Sequence, residues 1–173
     1  MRHPVLQPTH GRSIPERCDG MITLSSHEMM LAATVGIMRQ ITNLRDKRAD
    51  YYGAEAEAAW QIHIEGAIGE MVVAKHCNVF WNGNMGNLRA KDAGKLQVRT
   101  TRWPNGSLIL HPKDLDDDIF VLVTGEAPNY TVRGWISGAE GKSQDLWEEK
   151  CKGRPAFFVP QFRLYTMDLI TLV

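Results

Sequence analysis

The stretch Asp92-Ala93-Gly94-Lys95-Leu96-Gln97-Val98-Arg99-Thr100-Thr101 decides how the rest of the chain is read. One carboxylate stands just ahead of a short strand, and that strand carries Gln97 and Arg99 two residues apart. Successive side chains of a strand point to opposite faces. Gln97, Arg99 and Thr101 therefore share one face, and Leu96, Val98 and Thr100 take the other. An oxygen-bearing side chain and a cation on one face, near a carboxylate, suit a site that holds a divalent metal and a phosphate together.

The charge around this stretch is uneven. The chain has 20 basic and 20 acidic side chains, for a formal net charge of +0. That excludes a globally basic nucleic-acid binder. From Met71 to Lys113, however, Asp92 is the only acid beside Lys75, Arg89, Lys91, Lys95, Arg99, Arg102 and Lys113. Such a segment suits a phosphate backbone. The alternative is that these cations pair with acids elsewhere, such as Asp114, Asp116, Asp117 and Asp118.

A length of 173 residues suits one domain with a sizeable core. Residues 1–22, with Pro4, Pro8, Pro15, Gly11 and Gly20, read as an irregular arm, and 23–173 as a single domain. The longest apolar run, Ile119 to Val123, is too short to span a membrane. The N-terminus shows no positive region followed by an apolar stretch. Cys18, Cys77 and Cys151 are odd in number and widely separated, which fits structural thiols in a reducing cytoplasm.

Ser25-Ser26-His27-Glu28 predicts a capped helix running to about 47, with Met30, Val35, Met38 and Ile41 as its apolar positions. A second helix is expected over about 54–76, where Trp60, Ile64, Ala67, Met71 and Ala74 recur at steps of three and four. Strands are expected at about 95–102, 106–111, 119–125 and 130–137. Pro104-Asn105-Gly106 predicts a hairpin joining the first two. Phe157-Phe158-Val159 forms a late apolar segment.

The second helix contains Gly66 and Gly69, each costing about 1 kcal/mol against alanine. Something therefore approaches its surface closely. Gly66, Glu70 and, one turn back, His63 lie along one face. One reading places a ligand or strand near Glu70. The other has the glycines allowing tight helix–sheet packing, with Glu70 solvated.

Gly66-Ala67-x-x-Glu70 on a helix, then Asp92, then Gln97-x-Arg99 on a strand resembles the PD-(D/E)XK nuclease superfamily. The helix motif is similar to that of archaeal-type Holliday junction resolvases. The resemblance spans roughly Ile62 to Thr124, and the chain also resembles uncharacterised phage-type proteins. It implies an α/β (α+β) fold, with a mixed central sheet flanked by helices around a restriction-endonuclease-like core. It further implies a nuclease that hydrolyses DNA with Mg²⁺ or Mn²⁺. Asp92 would be the central metal ligand, with Gln97, Glu70 and the carbonyl of Val98 beside it, since Mg²⁺ prefers oxygen donors. Arg99 would stand where the family has lysine. Lys75, Arg89, Lys91, Lys95, Arg102, His111 and Lys113 would contact the nucleic acid.

Two departures from the family pattern matter. Gln97 lacks the negative charge of the usual glutamate. Arg99 stays protonated and so can orient phosphate but not act as a base. The same fold also suits a non-catalytic nucleic-acid-binding or phage assembly protein, and a homo-oligomer is left open. Other motifs rank lower. Asp116-Asp117-Asp118 reads as a solvated turn. Gly138 to Ser143 lacks the full spacing of a phosphate loop. Trp103, Trp135 and Trp147 read as core or rim, and His27, His63 and His76 show no zinc pattern.

Overall fold

Helix α1, Ser26–Arg45, starts where the sequence caps it. Ser25 Oγ accepts from the Glu28 N–H, and Glu28 Oε2 accepts from the Ser25 N–H at 2.7 Å, closing a capping box. The computed structural model describes residues 20–46, 59–83, 96–150 and 153–169. The second helix is observed as α2, Ala59–His76; its expected first residues fall outside the described set.

Of the expected apolar positions of α1, Val35 is buried and the others are not. Ala32, Val35, Gly36 and Gln40 are buried, whereas Met30, Met38 and Ile41 are exposed. The helix is apolar on two sides, and the side with small residues packs against its neighbour. A Cβ on Gly36 would stand 2.5 Å from Ile64 Cα, so α1 and α2 meet almost backbone to backbone. Within α2 every residue from Ala67 to Ala74 is buried. A helix buried around its whole circumference has no single apolar stripe. That burial is confined to the later turns: Trp60, expected on the apolar face, is exposed at the helix start.

Two sheets follow. The first combines β1 (Ile22–Thr23), β5 (Asn129–Ser137), β4 (Ile119–Glu126) and β2 (Leu96–Thr101), in that order. β2 pairs with β4 in parallel, Leu96 opposite Ile119 through Thr101 opposite Thr124. β4 and β5 are antiparallel. The second sheet combines β3 (Leu108–Leu110), β7 (Ala156–Val159) and β6 (Trp147–Glu148), all antiparallel. Ile22 pairs with Tyr130, so the irregular arm expected over 1–22 gives way to the sheet before its predicted end. Residues 1–19 lie outside the described set.

The expected hairpin between β2 and β3 does not form, because the two strands belong to different sheets. The turn itself is present, with the Gly106 N–H donating to Trp103 O at 2.9 Å. It carries the chain out of the first sheet and into the second. β4 is an unbroken buried run from Phe120 to Thr124, the pattern of a strand covered on both faces. It takes the inner position beside β2, and parallel pairing then requires a long connection between them. Residues 102–118 supply that connection and include β3.

The result is three layers. The helices cover one face of the first sheet, with Ala67, Met71, Val72, Leu96, Val98, Val121 and Val123 in the core between them. The second sheet covers the other face, over Leu108, Leu110, Phe120, Leu122, Phe157 and Val159. The architecture is mixed α/β with mixed-direction strands. Among the described residues no helix is long and apolar enough to cross a membrane.

Candidate functional site

β2 divides the predicted site residues between its two faces. Leu96 and Val98 turn toward the helices. A Cβ on Gly69 would lie 1.8 Å from Thr100 Oγ1 and 3.4 Å from Val98 Cγ1. The reading of the glycines as a device for tight helix–sheet packing therefore holds at Gly69. It does not hold at Gly66, where a Cβ would meet nothing within 4 Å.

Gln97 and Arg99 lie on the opposite face. Arg99 Nη2 donates to both Asp114 oxygens, at 3.1 and 3.2 Å, and its guanidinium sits 5.3 Å from the Phe120 ring centroid. Asp114 Oδ2 also accepts the His111 backbone N–H at 2.8 Å, and the Asp114 N–H donates to His111 O at 3.0 Å. His111-Pro112-Lys113-Asp114 is thus a turn locked by its own aspartate. Burial pushes the His111 imidazole below its ordinary pKa; Asp114 pulls it back up and Arg99 pushes it down. Gln97 Nε2 donates to Asp118 Oδ2 at 3.3 Å. Lys142 Nζ donates to Asp114 O at 2.7 Å and forms an ion pair with Asp116.

The expected solvated turn holds at Asp116 and Asp117, which are exposed, but not at Asp118. Asp118 is buried, and its carbonyl accepts the Gly138 N–H at 2.8 Å. The four-residue helix α3, Gly138–Gly141, is capped by Ser137. Lys142, the lysine of the loop-like motif, is already engaged with Asp114 and Asp116. The alternative in which the cations pair with these aspartates holds for Arg99.

Glu70 is neither solvated nor turned toward Gln97. It is 4% exposed. Arg39 Nη1 bonds Oε1, Arg39 Nη2 donates to Oε2 at 2.8 Å, and Trp81 Nε1 donates to Oε2 at 3.2 Å. The carboxylate is held on the helix side of the sheet by α1 and by the segment after α2. On the same side, Asn43 Nδ2 lies 3.1 Å from His63 Nε2. Lys75 donates to Glu28 and, at 3.1 Å, to Thr23 O, so it braces the start of α1.

Asp92, Arg89, Lys91 and Lys95 lie outside the described residues. Arg102 stands at the exit of β2, its guanidinium 5.6 Å from the Trp103 ring centroid. Trp103 is exposed, Trp135 is half-buried with its indole N–H on Thr166 O at 3.0 Å, and Trp147 packs on Phe157.

The central ligand of the expected metal set, Asp92, lies outside the described residues. Gln97 and the Val98 carbonyl are oxygen donors without charge. Among the described members Glu70 is the charged one, and its charge is matched by Arg39 on the helix side of the sheet. Among the described residues no group of three His, Cys, Asp or Glu side chains could hold a metal ion. The structure thus joins Gln97, Arg99 and His111 through Asp114 and Asp118, and it separates Glu70 and Lys75 from them.

Sequence reasoning missed Arg39 as the partner of Glu70. The signal was present: Arg39 is the only charged residue between Glu28 and Arg45, and it falls on the face shared by Gly36 and Asn43. No protein-family model, curated protein or solved structure matches this chain.

Proposed function

We propose that the chain is a nucleic-acid-binding protein of nuclease-like build that engages DNA through the polar face of β2 and the turns leaving it, without itself cutting. The observation that carries this reading is the division of β2. One face is sealed against the helices, where Glu70 is committed to Arg39 and Trp81. The other face and its exit carry Arg99, the turn at His111 and Lys113, and Arg102. Arg102 has a ring contact and, among the described residues, no carboxylate partner.

Backbone binding of this kind releases counterions, so the logarithm of affinity falls with the logarithm of salt, by about 0.9 per phosphate neutralised on duplex DNA. Titration of a labelled duplex at several salt concentrations tests it. Binding that weakens with salt, persists in Asp92→Ala and weakens in Arg102→Ala is the expected result. No binding at low salt would overturn it.

A second reading, metal-dependent hydrolysis, is favoured by Gln97 and Arg99 sharing one face of an edge strand with Asp92 just ahead of it. Its test is cleavage of linear, branched and single-stranded DNA with Mg²⁺ or Mn²⁺. Cleavage by the wild type that is lost in Asp92→Ala would establish hydrolysis and replace the non-catalytic reading.

A further inference from the structure

The exit of β2 exposes a second kind of chemistry. Trp103 is 67% exposed and Phe162 is 78% exposed. Single exposed rings are ordinary on a protein surface. These two are carried by segments far apart in sequence that one side chain ties together. Gln161 Nε2 donates to Pro104 O at 2.7 Å and to Gly106 O at 2.9 Å. The 3₁₀ turn Gln161–Arg163, which carries Phe162, is thereby pinned to the turn that carries Trp103.

The backbone under Trp103 is fixed as well. Its carbonyl accepts the Gly106 N–H, and its own N–H donates to Thr101 Oγ1 at 3.4 Å. A Cβ on Gly106 would lie 2.6 Å from Thr101 Cγ2, so only glycine lets the turn close this tightly. A large ring is therefore held in water on a rigid support. Beside it stands Arg102, whose cation faces the ring.

We propose that Trp103, with Arg102 beside it and Phe162 on the turn pinned to its own, is a stacking site for unpaired bases of single-stranded nucleic acid. The site rests on the nucleic-acid reading above and names the form of strand it takes. A base offers its flat face to an aromatic ring only when it is unpaired, and its phosphate lies within reach of a flanking cation. Stacking of this sort is worth about five- to 150-fold in affinity per base and tolerates any sequence. A duplex buries the faces of its bases and offers the ring nothing.

The test is fluorescence anisotropy of a labelled oligothymidylate of about ten nucleotides, within the usual site size, set beside a duplex of mixed sequence. Trp103→Ala is expected to weaken single-strand binding about tenfold or more while leaving duplex binding and the urea midpoint unchanged. Trp103→Phe retains most of the affinity, because a ring remains. Arg102→Ala reduces the salt dependence by about one phosphate contact. Wild-type affinity in Trp103→Ala, an equal loss in Trp103→Phe, or no single-strand binding by the wild type at low salt would each overturn the site. Duplex binding that persists while Trp103→Ala has no effect would sink this site alone. Single-strand binding that depends on Trp103, without duplex binding, would support the site and overturn the duplex reading.

Discussion

At the scale of single residues, Glu70 and Arg39 form a buried ion pair between α2 and α1. A buried ion pair gains little net energy over an apolar pair, but breaking one leaves an uncompensated charge and costs about 3–5 kcal/mol. Arg39→Ala and Glu70→Ala should each lower the unfolding free energy by about that much, read from urea melts. The double variant Arg39→Leu/Glu70→Leu should recover most of the loss. If either single variant were as stable as the wild type, the carboxylate would be relaxing to some other partner. The residue pattern Gln97-x-Arg99 was legible in the sequence because strand alternation is fixed by backbone geometry. The partners of Glu70 were not legible, and Asp114 stood for Arg99 only as one of several candidate acids. These contacts depend on side chains 11 or more residues away, which meet only once the fold is formed. Glycines in a helix announce a close approach without saying what approaches.

Secondary-structure elements carry two further expectations. Gly66 and Gly69 lie three residues apart in α2 but differ in surroundings. Gly66→Ala adds a methyl in open space and should stabilise by about 0.5–1 kcal/mol through helix propensity. Gly69→Ala drives a methyl into Thr100, a stiff β-branched side chain, and should destabilise by about 1–3 kcal/mol. The double variant Gly69→Ala/Thr100→Gly should relieve the steric part, and a double-mutant cycle in urea would show it as non-additivity. At the start of α1, Lys75 first, with the Ser25 N–H next, holds the Glu28 carboxyl down at about 2, against an ordinary 4.5. A carboxylate whose pKa is depressed by folding stabilises above its unfolded pKa and loses that contribution as pH falls toward the folded one. Glu28→Gln should therefore be less stable than the wild type near neutral pH, and the gap should close between about pH 4.5 and 2. A gap of the same size near pH 2, in thermal melts, would show that the charge is not what Glu28 contributes. The cap was legible because Ser25 and Glu28 stand at the spacing of a capping box. The false hairpin had a true local signal in Pro104-Asn105-Gly106. That signal specifies a turn and says nothing about which sheet receives the next strand.

For the whole molecule, the decisive element is β4, which serves both cores. Phe120 and Leu122 point into the core beneath the second sheet, and Val121 and Val123 into the core beneath the helices. The alternation within this short run couples the layers, because a shift of the strand toward one cavity opens a gap on the other side. The mixed α/β class was readable from the order of helix and strand patterns. The separation into two sheets was not, since each strand pattern is local and the pairing is not. The same coupling bears on the polar face of β2. Phe120 is both a filler of the lower core and the ring beneath Arg99. Phe120→Ala should cost about 3–5 kcal/mol, as for other large-to-small core changes. It should nonetheless leave one cooperative transition. Fluorotryptophan resonances can follow the two cores separately, since Trp81 belongs to the upper core and Trp147 packs against the lower one. In urea both native signals should disappear at one midpoint, in the wild type and, at a lower concentration, in Phe120→Ala. Loss of the Trp147 signal well before that of Trp81 would show that the lower sheet unfolds by itself. In that case β4 would not couple the layers, and the turn that fixes Arg99 would rest on a separately unfolding layer.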